Sequence, residues 1–423
     1  MSFDLQNQFN HKIQEIFYND FPKNIIIAVS GGIDSMALLF LANQFCKNNN
    51  IKLTAITIDH KIRQESTNES NIIAKICQKH NINHKILTNN YFIPQSNIEA
   101  NLREIRYDLL SNFAKENNIK DVFIAHHRQD IAENFLIRLF RGSGIDGLSK
   151  MEEITKLKNI NLIRPLLDFS KEDLMIYLKD NNISYIEDPS NYDQKFLRNK
   201  IRSFLNDFDN KEIINQRIAK ASDHILENRK IIENLIVEKS DDIYQFNDLG
   251  YFLLKKHNFK NLQQQLVFRY LNLIFNYFNG NFYKSRLDKI QNIYHWIIND
   301  TDYKAKTFAG AVIENYNTDN LIIYREKSKI IEQQITQYQF IWDNRFEITI
   351  DPKLDLNNLT ICTLTAQNFN SLIAMGEFKE YKNIKNPLKK IFYTIPVIKL
   401  NDNILFKEEF FKIRSKTPLE KDP

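Results

Sequence analysis

One stretch near the N-terminus, residues 25–39, constrains the fold more than any other part of the chain. It reads IIIAVSGGIDSMALL. Its first five residues are apolar and mostly β-branched, which is typical of a strand buried on both faces of a parallel sheet. Its last residues are good helix formers. The paired glycines between them let a ligand approach the backbone, and the helix start offers unpaired N–H groups. The stretch therefore predicts a phosphate-binding loop between strand and helix.

The exact residues of this loop distinguish it from other phosphate-binding loops. A tight strand–helix turn with a serine cap needs no ligand. A Walker A loop would continue with Gly-Lys-Ser/Thr, which is missing here. The full Ser-Gly-Gly-x-Asp-Ser pattern instead resembles the signature of the PP-loop ATPases, which cleave ATP between its α- and β-phosphates. This resemblance implies ATP contacts from Ser30, Gly31, Gly32, Ile33, Asp34 and Ser35.

Composition limits the class of protein. A chain of 423 residues is expected to form two or three domains. Its net charge of +5 permits a polyanionic partner but falls short of a dedicated nucleic-acid binder. Three scattered cysteines without a C-x-x-C pattern indicate reduced thiols, neither a disulfide framework nor a metal knuckle. The N-terminus lacks the apolar core of a signal peptide, and no apolar run is long enough to span a bilayer. We therefore expect a soluble, cytoplasmic protein without a membrane partner.

The order of predicted elements indicates the fold class. Strands are predicted at residues 25–29, 52–58, 84–87 and 122–125, and helical patterns separate them. This alternation predicts an α/β fold with a doubly wound parallel sheet. The loop at residues 30–35, the pair Asp59-His60 and the pair His126-His127 each follow the end of a strand. Ligands bind along that edge of such sheets, so we expect the three clusters to form one crevice.

The remainder of the chain predicts two further domains. We expect the first domain to occupy residues 1–210. A long amphipathic helix then opens a mostly helical middle domain, residues 211–330, which ends in a hairpin at residues 312–324. Short strand patterns predict a small β-rich domain at residues 335–423.

Several charged residues are candidates for chemistry. Asp34 lies inside the phosphate loop, where a Mg²⁺ ion would relieve its repulsion with phosphate, although acids also favour the first turn of a helix. Asp130 and Glu133 share one helical face, and their spacing fits metal binding, positioning of a nucleophile, or the helix dipole equally well. Arg103 and Arg106 also share a face, and spacing alone favours a solvated surface for them.

The two adjacent histidines, His126 and His127, are candidates for metal ligands. Adjacent side chains point in different directions, and no cysteine or third histidine lies near them in sequence. A zinc site is therefore disfavoured.

The motifs of residues 20–205 together resemble those of the tRNA(Ile)-lysidine synthase family. Beside the phosphate loop they are Asp59-His60-x-x-Arg63, Asn97-x-Glu99-Ala100-x-x-Arg103-x-x-Arg106-Tyr107, Ala125-His126-His127, Arg141-Gly142-Ser143-Gly144-x-x-Gly147-Leu148, Arg164-Pro165-Leu166-Leu167, Glu187-Asp188-x-Ser190-Asn191 and Arg198-Asn199-x-x-Arg202. The rest of the chain resembles the family loosely, in size, order and the basic segment at residues 388–392. The sequence departs from the family at Gln129, where an aspartate is usual, and this strengthens Asp130 and Glu133 as the functional acids.

The resemblance implies a reaction and its participants. ATP adenylates the C2 oxygen of the cytidine at the first anticodon position of an isoleucine tRNA with a CAU anticodon. The ε-amine of free L-lysine then attacks C2 and expels AMP, which leaves lysidine and changes codon reading from AUG to AUA. The implied cofactors are ATP and Mg²⁺.

The resemblance also implies roles for individual residues. The implied catalytic residues are Asp34, Asp130, Glu133, Arg103 and Arg106. Beyond the phosphate loop, ATP is expected to contact Asp59 and His60, and Mg²⁺ to contact Asp34 and Asp130. The implied tRNA-binding residues are Arg63, Arg198, Arg202, Lys389 and Lys390, and both distal domains are expected to hold tRNA.

Two other functions remain open from the sequence. A PP-loop enzyme that thiolates tRNA shares the chemistry, although such enzymes generally need reactive cysteines. An inactive nucleotide- or RNA-binding module would keep the fold without the reaction. The sequence does not decide whether the chain forms a homodimer.

Overall fold

The structure, a computed structural model, describes most of the chain. The described residues are 2–61, 64–89, 98–186, 197–280, 287–300, 302, 304–375, 384–401, 403–405 and 411–416. They form two compact units, Met1–Lys230 and Ile231–Pro423. The division into three domains, with boundaries near residues 210 and 330, stays a prediction.

A six-stranded sheet forms the centre of the first unit. Its strands are β1 (Asn24–Ala28), β2 (Lys52–Asp59), β3 (Asn83–Thr88), β4 (Asp121–Phe123), β5 (Ile154–Leu157) and β6 (Ile160–Ile163). The strand order is β3-β2-β1-β4-β6-β5, and neighbours pair in parallel except for β5, which is antiparallel to β6. The predicted parallel sheet is confirmed. The edge strand β5 was not predicted, because its four residues are mostly exposed and show no apolar run.

Helices cover both faces of this sheet. They are α1 (Ser2–Phe17), α2 (Ile33–Asn48), α3 (Gln64–Lys79), α4 (Ile98–Glu116), α5 (Arg128–Phe140), α6 (Ile145–Leu148), α7 (Lys171–Asp180) and α8 (Leu197–Asn206). Ile25 and Ile27 of β1 belong to the core formed with α1, α2 and α7, whereas Ile26 belongs to the core formed with α4. Successive side chains of a strand point to opposite faces, so a strand buried on both sides must be apolar throughout. This explains the isoleucine run and confirms the doubly wound fold.

The second unit begins with helices and a five-stranded antiparallel sheet. A long helix, α9 (Lys211–Glu238), leads into it. The elements that follow are α10 (Ser240–Ile243), β7 (Tyr244–Asn247), β8 (Tyr251–Lys255), α11 (Lys256–Lys260), α12 (Gln264–Asn279), α13 (Leu287–Asn299), β9 (Lys306–Phe308), β10 (Ala311–Asn315) and β11 (Asn320–Arg325). The hairpin of β10 and β11 was predicted. The strands β7, β8 and β9, which complete the order β7-β8-β11-β10-β9, were missed. Strands of three to five residues carry too little periodicity to separate them from the helices around them.

The end of the chain forms two small antiparallel sheets, as the predicted β-rich segment requires. Their strands are β12 (Gln333–Gln334), β13 (Gln339–Trp342), β14 (Phe346–Ile350), β15 (Leu359–Thr363), β16 (Pro396–Leu400), β17 (Asn403–Leu405) and β18 (Phe411–Ser415). Strands β12, β15, β16 and β17 form one sheet, and β13, β14 and β18 form the other. Two helices accompany them, α14 (Ala366–Met375) and α15 (Leu388–Phe392). Over the described ranges, no helix is both long and apolar enough to cross a membrane.

Candidate active site

The phosphate loop lies between β1 and α2 and is closed by the Ser35 side chain. The Oγ of Ser35 donates a hydrogen bond to the carbonyl of Gly32 at 3.0 Å and accepts one from the N–H of Ser30 at 3.2 Å. Gly32 is the N-cap of α2 and supplies no side-chain cap. The backbone N–H groups of the first helical turn therefore keep their capacity to bind an anionic group.

Gly31 is the position in this loop that requires glycine. Its φ angle is +88°, and a Cβ there would lie 3.0 Å from the Cδ1 atoms of both Ile73 and Ile186. The carbonyl of Gly31 also accepts a hydrogen bond from the N–H of Ile186 at 2.8 Å. Both the backbone conformation and the packing therefore exclude a side chain.

Asp34 faces His127 across the end of the sheet, which brings together two of the three polar clusters that were expected to form one crevice. The Nε2 atom of His127 lies 3.5 Å from Oδ2 of Asp34 and 3.7 Å from Oδ2 of Asp130. The other oxygen of Asp34, Oδ1, is buried and has no hydrogen-bond partner among the described residues. Buried polar atoms are nearly always paired, so this oxygen is a candidate ligand atom for something that the protein binds.

His127 caps α5 and thereby fixes the direction of its ring. Its Nδ1 atom accepts a hydrogen bond from the N–H of Gln129 at 3.2 Å. The proton of the neutral ring then sits on Nε2, which faces the two carboxylates. Burial lowers the pKa of His127, but Asp130 and Asp34 raise it, and the net direction is upward. The cap uses only the backbone of Gln129, so the aspartate usual in the family is not needed for it.

Asp130 and Glu133 of α5 hold two arginines of α8. Arg198 donates to Oδ1 of Asp130 and, from Nε, to Oε2 of Glu133 at 2.6 Å. Arg202 donates from Nε to Oε1 of Glu133 at 2.7 Å. The other oxygen of Asp130 accepts the N–H of His127 at 2.9 Å. Burial would raise the pKa of Asp130, but the charges of His127 and Arg198 outweigh it and hold that pKa well below its usual range.

These ion pairs bear on two predicted roles. Arg198 and Arg202, which were expected to bind tRNA, are engaged with buried carboxylates, so tRNA binding by them stays a prediction. Asp130 has a partner at each carboxylate oxygen. Its expected role as a metal ligand therefore also stays a prediction, and Asp34 is the better placed of the two.

Asp59 and His60 follow β2 but differ in their surroundings. The carboxylate of Asp59 accepts hydrogen bonds from the N–H of Lys61 and the hydroxyls of Ser66 and Thr67, at 2.7 to 2.9 Å. Burial would raise its pKa, but these donors lower it. Asp59 thus holds the turn after β2, and ATP binding by its side chain stays a prediction.

The ring of His60 has unused hydrogen-bonding capacity. Both of its nitrogens are buried without a partner in the described part of the chain. Burial and the charge of Arg106 lower the pKa of His60 to about 4, so the ring is neutral at physiological pH. It then offers one donor and one acceptor, which suits the edge of a nucleobase.

Arg103 and Arg164 surround the other histidine of the pair, His126. Arg103 lies over the ring of Tyr107, with Cζ 5.3 Å from the ring centroid. Arg164 is buried and donates from Nε to Nδ1 of His126 at 3.2 Å. Burial, opposed by Asp130 but assisted by Arg164 and Arg103, lowers the pKa of His126 to about 4. Arg106 is exposed.

His126 and His127 therefore have separate hydrogen-bond partners, Arg164 for the first and the N–H of Gln129 for the second. No group of three or more potential His, Cys, Asp or Glu ligands occurs within the described ranges.

Two positions beside the candidate site were given no specific role from the sequence. His127 was expected to lie in the crevice and was considered as a metal ligand, and Arg164 was noted only as part of its motif. A pair of histidines directly after a strand was the available signal for the first.

The other predicted site residues lie either in the second unit or outside the residues that the structure describes. Lys390 of α15 pairs with Glu314, with both carboxylate oxygens 2.9 Å away, and lies in the second unit together with the half-buried Lys389. The residues that lie outside the described ones are Arg63, Asn97, Glu187, Asp188, Ser190 and Asn191. Their roles, and those of both lysines in tRNA binding, stay predictions.

The parallel sheet, the glycine loop at its carboxyl edge and the acid within that loop define a nucleotide-binding domain of the PP-loop class. A family model described as a PP-loop domain matches residues 5–208. The expected resemblance to the PP-loop ATPases is thereby confirmed.

Relatives extend the similarity over nearly the whole chain. A tRNA(Ile)-lysidine synthase of Orientia tsutsugamushi (strain Boryong) is 31% identical over 95% of this chain and 92% of its own length. The enzyme of the same name from Wolbachia pipientis wMel is 32% identical over 92% of this chain and 88% of its own length. That of Rickettsia felis is 33% identical over 95% of this chain and 93% of its own length. This chain belongs to the tRNA(Ile)-lysidine synthase family.

Proposed function

We propose that this chain ligates L-lysine to C2 of the cytidine at the first anticodon position of an isoleucine tRNA with a CAU anticodon, and that it consumes ATP and releases AMP and pyrophosphate. The observation that carries the proposal is the cluster of Asp34, His127 and Asp130 beside the phosphate loop. Family membership indicates the substrates, and the cluster offers charged groups that could bind ATP, its metal ion and the amine.

The first step is adenylation of the tRNA. The C2 oxygen of cytidine attacks the α-phosphorus of ATP, the bond between the α- and β-phosphates breaks, and pyrophosphate leaves. The N–H groups at the start of α2 bind the phosphates, and Gly31 and Gly32 leave room for them. Because these donors are fixed before the reaction, they stabilise the developing charge without a cost of reorganisation.

The residues present fit a Mg²⁺ ion at Asp34. Its Oδ1 is buried and unpaired, and a carboxylate oxygen is the ligand type that Mg²⁺ prefers. Mg²⁺ commonly takes one or two carboxylates and completes its shell with phosphate oxygens and water, which agrees with a site that has few protein ligands. When bound, the ion neutralises charge on the phosphates. His127 holds the second oxygen of Asp34 and so orients the carboxylate.

The second step is attack by lysine. The ε-amine of lysine bonds to C2, and the bond from C2 to the adenylated oxygen breaks, so AMP leaves and a proton is released. The low pKa of Asp130 makes it a poor base for an amine, but a strong charge partner for an ammonium group. We therefore assign Asp130 to the charge environment of the lysine amine and not to removal of its proton, and Glu133 to holding Arg198 and Arg202 beside the site.

The remaining polar groups bind the nucleotides. The neutral ring of His60 has a free donor and acceptor for the edge of a base. Arg103 and Arg106 have the charge for a phosphate group or the cytidine, which must leave its stack to be reached. The second unit is expected to hold the body of the tRNA, away from the anticodon. Use of ATP and tRNA favours the cytoplasm as the place of the reaction.

The test is incorporation of labelled lysine into a purified isoleucine tRNA transcript. We expect incorporation with ATP and the CAU anticodon, and none when ATP is omitted or the first anticodon base is changed to U. Absence of incorporation by a folded protein that still binds ATP and tRNA would contradict the proposal and favour an inactive binding module.

The rival function, thiolation, is disfavoured by the cysteines. All three, Cys46, Cys77 and Cys362, are buried. Burial raises the pKa of Cys46 to about 12 and that of Cys77 to about 11, whereas a reactive thiol needs a lowered pKa and access to solvent.

A further inference from the structure

An exposed apolar patch lies at the C-terminal end of α5, and the proposed chemistry does not use it. Its members are Leu139, Phe140 and Ile145, with exposed fractions of 45%, 65% and 45%. Phe140 has the largest exposure of any phenylalanine in the described part of the chain. A solvent-exposed aromatic ring next to other exposed apolar side chains is a candidate for contact with a partner.

The turn that carries this patch is tightly held. The N–H of Ser143 donates to the carbonyl of Arg138 at 3.0 Å, and Nη1 of Arg138 donates to the carbonyl of Gly147 at 3.0 Å. Gly147 lies so close that a Cβ there would be 2.5 Å from Cβ of Ser143. The end of α5 is therefore preorganised, which lowers the entropic cost of binding a partner.

Two exposed arginines lie beside the patch. Arg138 and Arg141 flank Phe140 in sequence, and both are exposed. Partial desolvation, followed by the charges of Arg103, Arg141 and Arg229, lowers the pKa of Arg138, so these arginines repel one another. Arg103 also lowers the pKa of His126 at the sheet edge. Arg138 and Arg141 are thus exposed cations beside an exposed aromatic ring, and a polyanion would relieve their repulsion.

The distance along α5 from Asp130 to Phe140 is short enough for one RNA strand to contact both ends. Ten residues of α5 separate Asp130 from Phe140, which corresponds to about 15 Å along the helix. Stacked nucleotides advance about 3.4 Å each, so the span equals only a few nucleotides.

We propose that the Phe140 surface, formed by Arg138, Leu139, Phe140, Arg141 and Ile145, binds single-stranded RNA beside the target cytidine, with one base stacked on Phe140 and phosphates on Arg138 and Arg141. The inference rests on the proposed function, because it takes the RNA to be the loop that delivers the cytidine. An aromatic ring between arginines is the usual arrangement for binding single strands with little sequence preference.

The test compares two exposed aromatic residues in the full-length protein. Phe140→Ala is the test variant, and Phe140→Trp should retain stacking. Tyr18→Ala is the matched control, because Tyr18 is 90% exposed and precedes β1, at the opposite edge of the sheet from the phosphate loop. The probe is an RNA hairpin with the anticodon loop of the isoleucine tRNA, and binding is followed by fluorescence anisotropy at fixed salt.

We expect Phe140→Ala to weaken binding roughly tenfold, because one stacked base is lost. Phe140→Trp and Tyr18→Ala should bind as the unaltered protein does. Arg141→Gln should reduce the slope of log affinity against log salt by about one, as loss of one phosphate contact requires. ATP binding should not change in any of the four variants.

Two results would overturn the inference. One is Phe140→Ala binding the hairpin as tightly as Tyr18→Ala does. The other is Phe140→Ala changing the oligomeric state in sedimentation while RNA affinity stays the same, since the surface would then be a protein interface. If the unaltered protein binds the hairpin in a Phe140-dependent way but incorporates no lysine, the proposed function fails and the RNA surface stands.

Discussion

Each of the two units buries a cluster of charged side chains, and the clusters differ in how completely their atoms are paired. In the second unit, Asp343 lies between Arg325 and Arg345, and Arg345 is fully buried. Oδ1 of Asp343 accepts from Nη2 of Arg325 at 2.8 Å, and Oδ2 accepts from Nε of Arg345 at 2.7 Å. Arg345 also donates from Nη2 to the carbonyl of Thr394 at 2.6 Å. Both oxygens of the acid are therefore satisfied within the protein.

The cluster of the first unit is built similarly but leaves one atom unpaired. Glu133 and Asp130 are held by arginines, as Asp343 is, whereas Oδ1 of Asp34 has no partner among the residues that the structure describes. A satisfied buried ion cluster fixes structure, and an unsatisfied one is a place for a ligand. Burial of charge alone does not distinguish a site. The unpaired oxygen of Asp34 beside the phosphate loop is the observation on which the proposed metal site rests.

The largest expected effect comes from Asp34→Asn. We expect lysine incorporation to fall roughly 1000-fold, because the loop loses the anionic oxygen that would bind Mg²⁺ beside the phosphates. The melting temperature should stay near that of the unaltered protein, since no hydrogen bond to Oδ1 is lost. The measurement is single-turnover pyrophosphate release together with thermal unfolding. Near-normal turnover would remove Asp34 from the mechanism.

The matched change in the second unit, Asp343→Asn, should lower stability and leave the reaction rate unchanged. It leaves two buried arginines without a charge partner, so we expect the free energy of unfolding to fall by about 3 kcal/mol. The rate of pyrophosphate release per folded molecule should be unchanged, as measured after correction for the folded fraction. A variant that is as stable as the unaltered protein but inactive would show that the satisfied cluster also serves the reaction.

A smaller effect is expected within the phosphate loop itself. Gly31→Ala should lower stability by about 1–3 kcal/mol, because a side chain there is strained at its φ angle and collides with two isoleucines. Gly32→Ala is the matched control, since its Cβ would meet only Ser30 Oγ at 3.9 Å and its φ angle is −71°. Denaturant unfolding of both variants checks the difference. Equal stability of the two variants would mean that Ile73 and Ile186 can move to make room for a side chain at position 31.

The smallest effect is expected from the cysteines. Changing Cys46, Cys77 and Cys362 together to serine should leave the rate of lysine incorporation within roughly twofold per folded molecule, since no thiol takes part. Stability should fall somewhat, because hydroxyl groups are buried in apolar surroundings. Loss of the reaction in a folded triple variant would revive the thiolation hypothesis.

The parts of this protein that were predictable from sequence are those set by neighbouring residues. The isoleucine run of β1, the glycine loop and α2 follow one another directly in the chain, so apolarity and turn chemistry were enough to place them. The expectation that the polar clusters at residues 30–35, 59–60 and 126–127 follow strand ends came from the same local patterns.

The pairing of charges could not be predicted, because it depends on contacts between distant parts of the chain. Arg198 reaches Asp130 across 68 positions, and a basic helix in isolation resembles a tRNA-binding surface more than a holder of buried acids. Asp343 likewise gives no local sign that it lies between Arg325 and Arg345. That Oδ1 of Asp34 lacks a partner is likewise a property of the fold, and its neighbours in sequence do not reveal it.

The most direct test of the central claim is a magnesium titration of pyrophosphate release at saturating ATP and isoleucine tRNA. The unaltered protein and Asp34→Asn are compared, with Asp343→Asn as the control for a lost buried carboxylate. If the unpaired oxygen of Asp34 binds the metal, half-saturation in Asp34→Asn should need at least roughly tenfold more Mg²⁺, and Asp343→Asn should match the unaltered protein. The same half-saturation in all three proteins would contradict the claim that this oxygen marks the site.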